Sequence, residues 1–144
     1  MKHIAWILTG WLIIGSCRNR PDTKNLREAM QTYDRLILKT DADSIALSYT
    51  VDGELGEMAL GRDSIRRFLY KFKDFKVLHQ VSLIDTINIH QDTGYLAGSY
   101  QQRVIVPHQL SGDTVSVKGN FQSTWIWTPG NGWLIKKMQT QPLK

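Results

Sequence analysis

The chain has 144 residues, 42% of them hydrophobic, with 18 basic side chains against 13 acidic ones and a single cysteine. That much apolar material suffices for one folded core and argues against a disordered or fibrous chain, while a lone thiol excludes an intramolecular disulfide. The formal charge of +5 admits anionic partners, and His3, His79, His90 and His108 are too scattered to make a zinc site with Cys17.

The chain starts with Lys2 and His3, followed by an uncharged and mostly apolar run over 4–14 and then the small residues Gly15 and Ser16. A helix of about 11 residues rises only about 16 Å, roughly half the hydrocarbon core of a bilayer, so a permanent transmembrane helix does not fit. Residues 1–16 therefore read as an export signal. Ile14-Gly15-Ser16-Cys17 resembles the lipobox of bacterial lipoproteins, which implies cleavage before Cys17 and lipid on its sulfur and amine. The competing reading, a cysteine buried in an ordinary first helix, lacks a polar face on that helix to meet water. Residues 17–22 then form a lipidated tether and 23–144 one domain, exported, held to membrane lipid through Cys17 and facing the periplasm or cell exterior.

From Asp22 the periodicity places the elements. Leu26, Ala29, Met30, Tyr33 and Ile37 recur at helical spacing, so Tyr33 sits on the apolar face of a first helix. Asp41 or Asp43 caps a short second helix carrying Ile45, Leu47 and Tyr49. Asp52 and Gly53 mark a turn, a short strand follows around 55–59, and Gly61 leads to an Asp63-capped third helix ending near Asp74. Along this last helix Arg62, Arg66, Arg67, Lys71, Lys73 and Lys76 interleave with Ile65, Phe68, Leu69 and Phe72 at helical spacing. That pattern describes a solvated helix face rather than a nucleic-acid site, and an anionic membrane surface is the better use of the charge.

Long strands follow. Val81, Leu83, Asp85, Ile87 and Ile89 alternate with polar residues, which sets a carboxylate into an apolar face unless the strand is bulged there. "HQDTG" reads as a hairpin turn formed by Asp92 and Gly94. The next strand aligns Leu96, Gly98, Tyr100, Gln102, Val104 and Val106. "PHQLSGD" turns the chain, Val115, Val117, Phe121, Ser123, Trp125 and Trp127 share one face, and "TPGNG" leads to a last strand from Trp133. Helices first and a meander afterwards make an α+β domain, with helices on one face of a curved antiparallel sheet.

With these elements placed, "LREAMQTYDRLILKTDADSIALSYTVDGEL", "GRDSIRRFL", "TGYLAGSY" and "FQSTWIWTPGNGWLIKKMQ" together resemble the nuclear transport factor two-like superfamily, in its SnoaL-like and ketosteroid-isomerase-like branches. The resemblance implies a cone-shaped, cystatin-like fold, an apolar pocket open at one end for a small, largely apolar ligand, and a homodimer through the outer sheet face. It spans isomerases, cyclases, dehydratases, transport factors and proteins with only a pocket. Compared with ketosteroid isomerase, the oxyanion-binding tyrosine falls on Tyr33 and the carboxylate base on Glu57, while the late-strand acid falls near Ser123, with Asp85 as a substitute acid. A carboxylate in an apolar pocket becomes a stronger base, and a phenol stabilises the enolate oxygen as charge develops.

Two readings of that pair stand side by side: acid–base catalysis, or a packed Tyr33 with Glu57 on an exposed strand. The pocket implied by the resemblance is lined by Tyr49, Tyr100, Gln102 and Phe121, with Ser123, Trp125 and Gln139 further along the strands. Gln139 stands where related domains often carry a histidine, and an amide cannot act as a base. No Gly-rich phosphate loop, nucleophile elbow or metal-ligand helix occurs, so neither a cofactor nor a metal is expected. A third reading is an interaction module using Lys118, Asn120, Gln122 and Thr124 on the outer sheet face.

Overall fold

A computed structural model describes residues 20–107 and 114–143; Cys17, the export signal and most of the "PHQLSGD" turn lie outside the described residues. Helix α1 (Thr23–Lys39) opens with a capping box: Asp22 Oδ1 accepts the Asn25 N–H at 2.7 Å while Asn25 Oδ1 accepts the Asp22 N–H at 3.0 Å. It buries Leu26, Met30 and Tyr33, the face expected from the periodicity, and Asp34 as well. Helix α2 (Ala42–Leu47) is capped by Asp41, whose side chain accepts the Ser44 N–H at 3.1 Å. Leu47 on this helix is largely exposed.

The next segment departs from the sequence expectation. Tyr49 is not part of α2 but opens strand β1 (Tyr49–Leu55), and Asp52 and Gly53 lie within that strand rather than in a turn. Gly53 is required there because a Cβ would sit 2.9 Å from the Tyr49 Cβ. The chain reverses at 56–58 into β2 (Ala59–Leu60). Helix α3 (Arg62–Leu69) has Gly61 at its N-cap with no side-chain cap; Asp63 lies inside the first turn, paired with Arg66 at 3.1 Å. A 3-10 turn (Tyr70–Phe72) ends the helical part.

Strands β3 (Lys76–His90), β4 (Thr93–Ile105), β5 (Thr114–Thr128) and β6 (Gly132–Pro142) form an antiparallel meander within a sheet of order β2-β1-β6-β5-β4-β3. β1 joins β6 in parallel, so the six-stranded sheet is mixed rather than wholly antiparallel. The tight turn between β3 and β4 is Gln91–Asp92; Gly94 is not a turn former but a buried position of β4 beside Leu26 and Trp133. Side chains from the three helices, among them Leu26, Met30, Ile45 and Ile65, meet Leu96, Phe121, Trp125, Trp133, Ile135 and Met138 on the inner sheet face.

Besides an irregularity at Leu78, two bulges decide which side chains of β3 and β6 face that core. In β3 the pairing passes from Ile84↔Gly98 to Thr86↔Ala97, leaving Asp85 as the extra residue. Gln80, Ser82 and Ile84 therefore share the inner face with Ile87 and Ile89, while Leu83 is exposed. In β6 the pairing passes from Trp125↔Ile135 to Thr124↔Lys137, with Lys136 as the extra residue. Trp133 and Ile135 point inward before it and Met138 after it, which turns Gln139 outward.

Candidate functional site

The open end of the fold lies between α3, the 3-10 turn, the start of β3 and the end of β4. Phe68, Phe72 and Phe75 form a chain of edge-to-face contacts there, each with ring centroids 5.3 Å apart. With Leu69, Val77 and Val104 they wall a cavity of about 310 Å³. A second hollow of about 180 Å³ is lined by Met30, Gln80, Ser82, Tyr100, Phe121 and Met138. Tyr33, Ile37, Leu55 and Gln102 border both hollows, so they are parts of one depression between α1 and the sheet. Tyr33, Tyr100, Gln102 and Phe121 thus line one hollow.

Tyr33 reaches the depression with its hydroxyl already engaged. Its Oη lies 2.9 Å from the Tyr49 Oη, and the two rings meet edge to face at 6.1 Å. Burial pushes the Tyr33 phenol up to about 12, tempered by the bond to Tyr49 and reinforced by nearby Asp34. The Tyr49 phenol is also held well above its ordinary value, by burial first and then by Tyr33. Both stay protonated at neutral pH. Tyr49 stands behind Tyr33, outside the residues that line either hollow.

Asp34 is a buried group the sequence reading missed. Its carboxylate accepts Gln80 Nε2 at 2.9 Å, the Ser82 N–H at 2.8 Å and the Ser82 hydroxyl at 2.8 Å. These bonds tie α1 to the inner face of β3 and fix two side chains that border the second hollow. The signal was present in the spacing: Leu26, Met30 and Asp34 fall at i, i+4 and i+8, on the apolar face.

Other expected site residues are placed elsewhere. Glu57 sits exposed in the turn between β1 and β2 and lines neither hollow, so it is not brought together with Tyr33. The ungapped comparison failed there because the turn occupies 56–58, not the strand expected around 55–59. Asp85 is exposed, expelled from the apolar face by its bulge. Ser123 is buried but accepts Trp125 Nε1 at 2.8 Å, and Trp125 is 1% exposed, so both belong to the core rather than the pocket. Gln139 pairs with Gln122 and is exposed on the outer face.

Chemically, the depression offers apolar walls, the phenols of Tyr33 and Tyr100, the amides of Gln80 and Gln102 and the hydroxyls of Ser82, Thr40 and Thr140, and the carboxylate behind its inner part, Asp34, is already saturated. Among the described residues no group of three or more His, Cys, Asp or Glu side chains is placed to hold a metal.

No protein-family model and no curated protein matches the sequence. Solved structures do match. A ketosteroid isomerase-like protein from Erwinia carotovora atroseptica superposes with a TM-score of 0.71 at 12% identity, covering 84% of this chain and 95% of that one. A nuclear transport factor 2-like superfamily protein from Salmonella enterica gives 0.69 at 14% identity, covering 84% and 90%. A protein of the same likeness with a cystatin-like fold, from Novosphingobium aromaticivorans, gives 0.67 at 20% identity, covering 85% and 82%. Helices held against one face of a curved six-stranded sheet, together with these superpositions, show that the chain has the nuclear transport factor 2-like, cystatin-like α+β fold.

Proposed function

We propose that this chain is a binding protein rather than a catalyst: an exported domain, held at a membrane by lipid on Cys17, that takes a small and largely apolar ligand. The observation that carries the reading is the chemistry of the depression. Its walls are aromatic and aliphatic, with Tyr33 and Gln102 as the polar groups common to both hollows. A few fixed polar groups in an apolar recess orient a ligand without reacting with it, and a volume near 300 Å³ lies at the small end of ligand sites. The position of Glu57 in a solvent-exposed turn weighs against an isomerase built on that residue. Native mass spectrometry of the full chain purified from its cells tests the reading. A defined retained mass that disappears in Ile37→Trp, which fills the depression, supports it; a retained mass indifferent to that substitution removes the depression as the site.

The outer sheet face favours a second role beside the first, a homodimer contact. Around Gln122 it presents Tyr95, Ala97 and Gln139 in a shallow hollow, with Tyr95 49% exposed and Lys137, which is paired with Glu54 at 3.0 Å, also on its lining. Gln122→Lys is expected to weaken self-association by placing like charges across such an interface. An unchanged sedimentation profile counts against it.

A further inference from the structure

The lysines around the open end have no partner in the reading given so far. Lys71 and Lys73 flank Phe72, Lys76 sits between Phe75 and Val77, and Lys39 precedes Thr40; all four lysines are exposed, and each of those neighbours lines the larger hollow. Thr40 and Phe75 are joined by a hydrogen bond from Thr40 Oγ1 to the Phe75 carbonyl at 3.4 Å, which brings Lys39 to the same rim. The carboxylates at this end are Glu57 and Asp74, both exposed, and Asp41, between Thr40 and Ala42, whose side chain accepts the Ser44 N–H at 3.1 Å and the Ser44 hydroxyl at 2.6 Å; Arg67 beside Phe68 and Arg103 between Gln102 and Val104 add two further cations. Asp43, next to Ala42, is occupied by Arg66 Nε at 3.0 Å and by the Tyr70 hydroxyl at 2.8 Å. The described rim is therefore net positive, while the walls immediately inside it are phenylalanine, leucine, isoleucine and valine.

We infer that the ligand is an anionic amphiphile, its apolar body in the Phe68–Phe72–Phe75 hollow and its carboxylate or other monoanionic head at the lysine rim. The inference rests on the binding reading above and names the class of ligand. The hollow has room for roughly ten groups the size of a water molecule, at about 30 Å³ each, so the apolar part is short or compact. Burying it supplies affinity without orientation. The rim supplies the orientation: the head stays at the mouth in contact with water, where lysine ammonium groups neutralise it without a desolvation penalty on either charge. A cationic amphiphile of the same shape meets four like charges at the mouth and is rejected, which is discrimination by repulsion. Lys71 also lies over the Phe68 ring, with Nζ 5.7 Å from its centroid, so this cation is held at the lip by the aromatic wall itself.

The test uses the full chain in a neutral detergent, titrated calorimetrically with phenylbutanoate, phenylbutanol and phenylbutylamine, with a detergent-only titration subtracted. These probes share one apolar body and differ in head charge. At low ionic strength phenylbutanoate is expected to bind about tenfold more tightly than phenylbutanol, and phenylbutylamine least of the three. The advantage of the anion should shrink at high ionic strength and in the triple variant Lys71→Gln/Lys73→Gln/Lys76→Gln, while affinity for the alcohol stays unchanged. Equal binding of anion and alcohol, or an anion preference that survives the triple substitution, overturns the inference and leaves the apolar pocket standing. If no probe binds, or if all bind undiminished to Ile37→Trp, the pocket reading falls and the inference with it.

Discussion

The hydroxyls of Tyr33 and Tyr49 meet 2.9 Å apart, joining the middle of α1 to the first residue of β1 at the edge of the depression. Each hydroxyl is the other's polar partner in an apolar surround. Tyr33→Phe should therefore cost about 1–3 kcal/mol by leaving the Tyr49 hydroxyl buried without its bond. Chemical denaturation measures this, and a cost near zero shows the bond to be dispensable. The pair also sets an alkaline limit. The folded-state Tyr33 phenol lies above its unfolded value of 10.0, at about 12, so its contribution is complete below pH 10 and is lost as pH rises toward 12. Unfolding stability should fall across that window, and the fall should be smaller in Tyr33→Phe.

Asp34→Asn removes the charge from an acceptor serving Gln80 and both donors of Ser82. An amide cannot accept all three, because one of its two polar ends is itself a donor. The expected destabilisation is about 2 kcal/mol, the scale of hydrogen bonds to a charged group. Denaturation of the variant gives the number, and amide exchange at Ser82 should speed up in parallel. Unchanged exchange at Ser82 would show that this anchor does not hold β3.

Gly98→Ala is expected to be severe. A Cβ at this position would overlap the Leu83 carbonyl oxygen, next to the bulge at Asp85 where β3 pairs with β4. Backbone must move to admit it, so a loss of more than about 4 kcal/mol or failure to fold is anticipated. Ser99→Ala, on the opposite face of the same strand, serves as control and should stay within about 0.5 kcal/mol. Thermal melts of the two variants decide the matter; similar midpoints would mean that the strands can separate at little cost.

Cys17→Ala should leave an unprocessed precursor that takes up no labelled fatty acid. Gel mobility and metabolic labelling read both outcomes directly. Normal labelling of the variant removes Cys17 as the lipid site.

Most of the architecture was legible because periodicity speaks plainly wherever an element is regular. The apolar face of α1 and the inward sets of β4 and β5 follow from spacing alone, and the cap of α2 is narrowed to Asp41 or Asp43, of which the structure has Asp41. Two of the failures share one cause. A bulge inserts one residue without any compositional mark, and every later side chain then changes face. Asp85 and Gln139 were misplaced in this way, by irregularities at Asp85 and Lys136. β1 is harder still: its pairing with β6 runs from Tyr49↔Ile135 to Glu54↔Lys137. Several β1 residues thus oppose a single β6 residue, Lys136. That distortion leaves the Tyr49 carbonyl to be taken by Arg62, through Nε at 3.0 Å and a terminal nitrogen at 2.6 Å. Local propensity marks Asp52-Gly53 as a turn, and only the tertiary pairing with β6 makes it strand.

Helix α1 also sets a direction. Its first turn is fastened to the end of the sheet that carries the β5–β6 turn, where Trp133 Nε1 donates to Asn25 Oδ1 at 2.6 Å, and its last residue abuts the rim at Thr40. Seventeen residues of helix make a strut of about 25 Å between the two. A lipid on Cys17 would moor the chain by the foot of that strut, so that with the domain upright the phenylalanine-lined opening stands far from the leaflet that holds it. At about 25 Å the lysines would then lie beyond the roughly 10 Å reach of that leaflet's charge at ordinary ionic strength. Under the proposed anchoring and ligand role, such a domain would collect cargo arriving through water and would not draw it sideways out of its own bilayer.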